Sequence, residues 1–293
     1  MENLYRIISF PAFINLVEQK KERYVSPATW EDTHEGYLLR LLEHERYRKD
    51  VLKKLYADFS GNDISELICD YMRLWATRWL CFAQCWSKLE ESDALWRIYS
   101  YDNMSVRIRT KQENIHKLVS KSKTINEYDI YFKDVIYDLN SESDLDKQFE
   151  LFTNTAEPTE PFFHKRKAFE HEHEKRVILT PKNYIRIFSN LSGRVIRCNF
   201  ISDLQERNYF PNNLTEELLD ILVEHVSKNQ INFDKVDYFK KSMMIDIPDL
   251  TSYIDGVMVH PQAEDWIVSL VESICKRTGL NFEGKSKMYS ALS

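Results

Sequence analysis

The spacing of apolar residues changes along the chain, and this change constrains the fold more than any single motif. Residues 36 to about 59 and 63 to about 80 carry apolar side chains three and four positions apart, which is typical of amphipathic helices. Beyond residue 80, short apolar or alternating runs such as Phe82–Ser87 predict strands. Because helices dominate the first third and strands concentrate in the middle, we expect an α+β fold. We predict a single domain over residues 1–293, with a mixed β-sheet core and a helical insertion at about 36–80.

The composition, 43% hydrophobic and 13% aromatic, is that of a folded protein rather than a disordered one. No apolar run approaches the ~20 residues that span a bilayer, and the first residues lack the basic and apolar regions of a signal peptide. The 5 cysteines are scattered and odd in number, which favours reduced thiols. A net charge of −6 disfavours general binding to nucleic acid. We therefore expect a cytoplasmic protein with no membrane partner.

Several common catalytic signatures are absent from the sequence. With only 6 glycines, the chain has neither a phosphate-binding loop nor a glycine-rich dinucleotide fingerprint. It also has no Gly-x-Ser-x-Gly elbow and no His-Glu-x-x-His zinc motif. Candidate chemistry is therefore confined to polar residues within short apolar segments.

The most unusual segment, 168–180, is predicted to be a strand and reads Glu-His-Glu-His-Glu-Lys-Arg from residue 170 onward. In an extended chain, alternate side chains share a face. One face would then carry three acids and an arginine, namely Glu170, Glu172, Glu174 and Arg176. Mutual repulsion and burial would raise the pKa of a glutamate there, which suits acid–base chemistry. The alternative is an exposed strand whose charges deter aggregation.

Two metal-binding interpretations are also open. His171 and His173 would supply two ligands for zinc or manganese, with His164 as a third. Alternatively, four carboxylates would hold Mg²⁺ or Mn²⁺ for a nuclease or phosphoesterase reaction. These are Asp32, Glu35, Glu172 and Glu174. Neither set has the spacing of a known metal motif, and we predict no resident metal.

Two further segments place polar residues in apolar strands. Arg6 lies in the middle of the opening strand, where its guanidinium needs a carboxylate, a phosphate or solvent. The strand Phe82–Ser87 ends on Cys85-Trp86-Ser87, shortly before a helix that Ser92 is predicted to cap. This second segment is alternatively an ordinary helix N-terminus beside core aromatic residues.

Short stretches spread over nearly the whole chain carry a resemblance. They are Leu4-Tyr5-Arg6, Ser26 to Asp32 with Glu35-Gly36, Cys85-Trp86-Ser87 with Asp93 and Leu95-Trp96, His171 to Arg176, and Val259-His260-Pro261 with Ala263 and Trp266. In their order and spacing they resemble a bacterial family, domain-of-unknown-function family 2971. This resemblance implies a bacterial or mobile-element origin but no activity.

A second resemblance implies an activity. A strand-borne arginine, a serine ending a later strand and a Glu-x-Glu opening another are similar to the Arg-Ser-Glu arrangement of ADP-ribosyltransferases. The resemblance implies that Arg6 holds the nicotinamide-side phosphate or ribose of NAD, and that Ser87 orients the ribose and a glutamate. Glu174 would stabilise the oxocarbenium-like ribosyl centre, and Glu172 would help to activate the acceptor. In place of the usual serine-threonine-serine triplet, this chain has Cys85-Trp86-Ser87.

Aromatic residues complete the expected site, with Tyr5, Trp30 or Trp96 stacking on nicotinamide or adenine. The expectation is an NAD-consuming ADP-ribosyltransferase or NAD glycohydrolase, with NAD as substrate and an unknown macromolecular acceptor. As a bacterial toxin or antiviral-defence effector, it would have a partner protein or antitoxin. The alternative is a non-catalytic sensor or interaction module of a bacterial defence or toxin system, which the absence of a strong catalytic motif favours.

Overall fold

The computed structural model describes residues 2–32, 34–36, 39, 42, 45–57, 71, 74, 77, 79–122, 126–139, 159–182, 215–228 and 240–290. Their strands are β1 (Asn3–Ile8), β2 (Lys21–Val25), β3 (Phe82–Ser87), β4 (Val106–Lys111), β5 (Tyr128–Asp134), β6 (Ile136–Leu139), β7 (His164–Arg166), β8 (Glu174–Pro181), β9 (Ser242–Asp246), β10 (Gly256–Val259) and β11 (Phe282–Lys285). Nine of them form one mixed sheet, and β6 and β7 form a separate parallel pair.

The helices flank these strands. The α-helices described are α1 (Phe10–Gln19), α2 (Glu45–Ala57), α3 (Asp93–Tyr99), α4 (Gln112–Lys121), α5 (Glu216–Lys228), α6 (Leu250–Tyr253) and α7 (Asp265–Thr278). Short 3₁₀ helices cover Pro27–Thr29, Glu160–Phe163 and Lys167–Glu172. Among the described residues, no helix combines the length and apolar character needed to cross a membrane.

Local signals in the sequence account for where the helices beside the sheet begin. Ser9 caps α1 by accepting a hydrogen bond from the amide of Ala12, and Pro11 lies in the first turn, where its missing N–H costs nothing. Ser92 caps α3 by accepting from the amide of Leu95, as predicted. These caps place α1 and α3 directly after β1 and β3, close to the middle of the sheet.

Strand β3 has three neighbours, and this arrangement creates a fork in the sheet. Strand β8 pairs with β3 along its whole length, from Phe82 opposite Leu179 to Ser87 opposite Glu174. The other edge of β3 is shared: β1 pairs at Ser87, and β2 pairs at Ala83. On their other edges, β1 pairs with β4 and β2 pairs with β9. Strands β1 and β2 therefore diverge beside β3 and leave a gap between them.

One face of the sheet is packed into the hydrophobic core. Leu4, Trp86 and Val177 point to this face and are fully or almost fully buried against α1 and the C-terminal helix α7. Since side chains alternate along a strand, Tyr5 and Ser87 project from the opposite face. The sheet therefore separates an apolar side from a side that carries most of the polar residues considered below.

The structure confirms the α+β fold with a mixed sheet. Strands β3 and β10 match the predicted bounds. Within the predicted insertion at 36–80, α2 and residues 71, 74 and 77 are helical, and much of the remainder lies outside the described residues. The prediction of one domain over residues 1–293 stays a prediction.

The predicted strand at 168–180 is wrong in its first half. Lys167–Glu172 is a 3₁₀ helix, which ends where His173 adopts a left-handed backbone conformation with φ of 41°. Strand β8 begins only at Glu174. Glu170 and Glu172 therefore do not share a strand face with Glu174, because the left-handed residue turns the chain between them.

Candidate functional site

A cavity of about 470 Å³ opens at the fork where β1 and β2 diverge from β3. Its size is within the range of roughly 300–1,000 Å³ that is usual for small-molecule sites. It is lined from both faces of the sheet, because the gap between the strands connects them. The predicted site residues in its wall are Tyr5, Arg6, Ser87, Glu172 and Glu174. Strand pairing thus brings together residues that are more than 160 positions apart in sequence.

Arg6 lies in this wall and already has a carboxylate partner. Its Nη2 donates to both oxygens of Glu22 on β2, each at 2.9 Å, and its guanidinium lies 4.7 Å from the ring of Trp86. Tyr253 donates a further hydrogen bond of 2.9 Å to Glu22. Burial would lower the pKa of Arg6, but the Glu22 carboxylate outweighs it and raises that pKa. The pair therefore joins β1 to β2 across the fork.

Ser87 contacts the backbone next to the glutamates rather than a carboxylate. Its hydroxyl donates to the carbonyl oxygen of Glu172 at 2.7 Å and accepts from the amide of Leu89 at 3.1 Å. The amide of Lys88 donates to the carbonyl of His173 at 3.0 Å. These contacts fix the main chain where the 3₁₀ helix meets β8. They therefore also fix the backbone from which the Glu172 side chain projects.

A charged cluster of five buried side chains extends from the cavity wall into the protein: Glu35, Lys165, Glu172, Glu174 and Arg176. The ammonium of Lys165 lies between three carboxylates, at 2.6 Å from Glu172, 2.8 Å from Glu35 and 3.4 Å from Glu174. Only Glu172 and Glu174 of the cluster line the cavity. With all five groups ionised, the three carboxylates and two cations give the cluster one net negative charge.

Arg176 is fully buried and uses its guanidinium to hold Glu174. Its Nε and Nη2 donate to the two oxygens of Glu174 at 2.8 and 2.9 Å, and Nη2 also reaches Glu35 at 2.9 Å. Its Nη1 donates to the carbonyl of Phe162 at 2.6 Å, and the ring of Trp30 lies 4.5 Å from the guanidinium. Such two-point pairing fixes the Glu174 carboxylate in one orientation.

The two cavity glutamates have opposite electrostatic environments. Burial would raise the pKa of Glu174, but Arg176 and then Lys165 lower it to about 2. Burial raises the pKa of Glu172, and Glu174 and Glu35 raise it further, so that Lys165 offsets these effects only in part. Glu174 is thus held ionised, whereas ionised Glu172 is disfavoured by its surroundings.

The aromatic residues of the cavity are not all those that the sequence indicated. Tyr5 lines the cavity, together with Trp86 and Tyr99, neither of which was a predicted site residue. Trp30 packs behind the wall on Arg176. Trp96 is fully buried, donates to Glu91 at 3.1 Å and lies edge-on to His260. Trp86 was detectable because it directly precedes the candidate Ser87, but Tyr99 is brought in by the packing of α3 against β1.

The residues proposed as metal ligands have other partners in the structure. His164 is within 2.9 Å of Asp138, and the Nδ1 of His171 is 3.1 Å from the carbonyl oxygen of Ala168. Asp32 accepts from Arg166 at 3.1 Å, and the other three acids of the proposed set form the charged cluster with Lys165 and Arg176. Across the described ranges, no three His, Cys, Asp or Glu residues are grouped so as to hold a metal ion.

No protein-family model, no curated protein and no solved structure matches this chain. Both resemblances drawn from the sequence therefore stay predictions, and the chemistry of the site is inferred from the cavity and its side chains.

Proposed function

We propose that this protein is an NAD-consuming, ADP-ribosyltransferase-like enzyme whose substrate binds in the cavity at the fork of the sheet. One observation carries the proposal: Arg6, Ser87, Glu172 and Glu174, the residues of the Arg-Ser-Glu resemblance, all line this one cavity. Catalytic groups must reach a single ligand, and a shared cavity is the first geometric requirement for that.

The reaction suits a cavity with carboxylate and aromatic walls. When the bond between the ribose and nicotinamide breaks, its electron pair leaves with nicotinamide, and the ribosyl carbon becomes positively charged. A carboxylate in the wall stabilises this developing charge, and the effect is strong where water is excluded. The acceptor, a macromolecule or water, then forms the new bond and releases a proton. The rings of Tyr5, Trp86 and Tyr99 offer apolar surface to the bases of NAD.

Cations in the same wall suit the diphosphate of NAD. Arg6, Lys21, Arg23 and Arg107 line the cavity. The Nε–H of Arg6 and that of Arg107 are buried and have no hydrogen-bond acceptor among the described residues. Arginine binds phosphate oxygens well, so a ligand diphosphate would compete with Glu22 for Arg6 and with Glu283 for Arg107.

Consumption of NAD in bacterial cytoplasm harms the cell that carries out the reaction. We therefore propose a role as a toxin or antiviral-defence effector, modifying a macromolecular acceptor and restrained by a partner protein or antitoxin. The acceptor would approach the mouth of the cavity, where Tyr99 is 47% exposed.

A test of this function should fill the cavity without changing its charges. Ala12 on α1 lines the cavity and is exposed, so Ala12→Trp would place an indole in the space without breaking an ion pair. Ser273→Trp, at an exposed position of α7 that does not line the cavity, is the control. We expect wild type and Ser273→Trp to release nicotinamide from NAD and Ala12→Trp to lose this activity, with all three melting at similar temperatures.

Two outcomes would contradict the proposal. In one, wild-type protein releases no nicotinamide even with cell lysate supplied as a source of acceptors. In the other, Ala12→Trp is as active as wild type, which would place the reaction elsewhere.

A second candidate function is a non-catalytic sensor with the same cavity. It is favoured by the pairing of Arg6 with Glu22 and of Glu174 with Arg176, which satisfies one expected NAD-binding residue and one expected catalytic residue without a ligand. Calorimetry that detects NAD binding by wild type but not by Ala12→Trp, with no nicotinamide released, would support the sensor.

A further inference from the structure

We infer that Glu172, rather than Glu174, is the carboxylate that acts on the substrate, and that Glu174 is a positioning residue. The inference rests on the proposed function and reverses the roles that the Arg-Ser-Glu resemblance implies for the two glutamates. It is carried by the contacts of the charged cluster and by which of its members line the cavity.

Glu174 has little capacity left for a ligand. Both of its oxygens accept hydrogen bonds from Arg176, and one of them is also 3.4 Å from the ammonium of Lys165. Its charge is therefore already neutralised at short range by two cations behind the cavity wall. A positive charge that develops in the cavity would gain little from a carboxylate whose attraction is offset in this way.

Glu172 has one oxygen available. Its Oε2 accepts from Lys165 at 2.6 Å, but that ammonium is shared with Glu35 and Glu174. Its Oε1 has a single long hydrogen bond of 3.4 Å from the hydroxyl of Tyr99. A substrate in the cavity can displace that contact without breaking an ion pair.

The net charge of the cluster also indicates Glu172. The cluster holds one negative charge more than its cations neutralise, and Lys165, Arg176 and Glu35 do not line the cavity. Glu174 is held by Arg176, and of the two carboxylates that share Lys165 besides it, only Glu172 lines the cavity, so the excess charge of the cluster faces the cavity through Glu172. A ribosyl cation formed in the cavity neutralises this excess negative charge. Glu172 stays ionised in that step, because the electrons of the broken bond leave with nicotinamide and no proton is transferred.

The backbone supports this role. Ser87 and Lys88 on the β3 side hold the carbonyls of Glu172 and His173, and the left-handed conformation of His173 turns the chain just after Glu172. These bonds fix the main chain at Glu172, whose side chain lines the cavity, and a preorganised carboxylate requires such support.

The test compares three variants for nicotinamide release and NAD binding. In Glu172→Gln we expect release to fall ~100-fold or more, the usual loss for one transition-state electrostatic group, with NAD affinity little changed. The double variant Glu174→Gln with Arg176→Gln removes one charge of each sign together with contacts that position the cluster, so we expect release to fall, but at least about tenfold less than in Glu172→Gln, with the acid midpoint of the remaining activity unchanged. Glu170→Gln changes an exposed acid of the same 3₁₀ helix and should behave as wild type.

A pH profile of wild type tests the inference even if the double variant does not fold. Glu172 is faced by Lys165 of β7, Glu174 and Arg176 of β8, Glu35, Tyr99 of α3 and Tyr137 of β6. Its pKa is above the ordinary 4.5, so activity that needs ionised Glu172 fails as pH falls through a midpoint above 4.5. If Glu174 acted instead, activity would persist to a midpoint below 4.5, because the pKa of Glu174 is about 2.

The possible failures are distinguishable. Absence of nicotinamide release by wild type overturns the proposed function and the inference with it. Active wild type combined with an active Glu172→Gln variant, or with an acid midpoint below 4.5, overturns the inference alone and leaves the proposed function standing.

Discussion

Two charged regions of this protein lie on either side of the same fork in the sheet and differ in their balance. In the first, Arg6 and Glu22 form a one-to-one pair that Tyr253 completes, on the packed side of the sheet. In the second, three carboxylates share Lys165 and Arg176 on the other side. A balanced pair holds two strands together, whereas an unbalanced cluster retains a charge that a ligand can neutralise. The comparison distinguishes a structural ion pair from a candidate reactive group.

The largest expected effect is that of removing the fully buried arginine of the cluster. Arg176→Met leaves Glu174 and Glu35 with only Lys165, and breaking a buried pair in this way costs roughly 3–5 kcal/mol of unfolding free energy. Urea denaturation measures the loss. The double variant Glu174→Gln with Arg176→Gln should lose much less, and equal losses in the two variants would show that charge balance is not what stabilises the cluster.

The balanced pair should be less sensitive than the cluster. Arg6→Met removes two hydrogen bonds from Glu22 but leaves those from Tyr253 and from the amide of Arg23, so we expect a loss of about 2–3 kcal/mol. The same urea titration gives the value. A loss exceeding that of Arg176→Met would reverse the order proposed here for the two regions.

A smaller effect is expected where Ser87 joins β3 to the cluster. Ser87→Ala removes the hydrogen bond to the carbonyl of Glu172, at a cost of about 1 kcal/mol. It should also lower kcat for nicotinamide release more than it changes KM, because Glu172 loses its backbone support. Ser269→Ala, which removes an exposed hydroxyl on α7, is the control and should change neither quantity.

The smallest effect, and the only stabilising one, is expected for Glu172→Gln. Because the pKa of Glu172 is raised in the folded protein, its ionised form destabilises the fold at neutral pH, and this cost disappears as pH falls through the raised value. The variant should therefore melt at a slightly higher temperature than wild type at pH 7 and not below pH 4. A lower melting temperature at pH 7 would mean that Lys165 stabilises Glu172 fully.

Glu174 should show the opposite dependence on pH. Its pKa is lowered to about 2, so it stabilises the fold above the ordinary value of 4.5 and loses this contribution as pH falls towards 2. Thermal melts of wild type between pH 6 and 2 should therefore fall more steeply than those of the Glu174→Gln, Arg176→Gln double variant. Parallel curves would contradict the assignment of that lowered pKa to Glu174.

Sequence patterns predicted the elements of this fold better than the contacts of the site. The continuous apolar run of β3 and the Ser92 cap depend on residues within a few positions of each other, and both are found as expected. The Glu-His alternation before Glu174 has the period of a strand, yet it forms a 3₁₀ helix up to Glu172, because the left-handed His173 interrupts the chain there. Local periodicity alone does not reveal such a turn.

The sequence by itself determined the α+β class, the strand that carries Ser87 and the separate candidates Arg6, Glu172 and Glu174. Only the tertiary structure decided which of these residues share a cavity and how their charges are balanced. The physical reason is distance along the chain: a cap or an apolar stripe is complete within about four residues, whereas Arg176 meets Glu35 across 141 positions. Pairing of that kind depends on which elements lie side by side. The same packing decides whether a glutamate is inert or reactive.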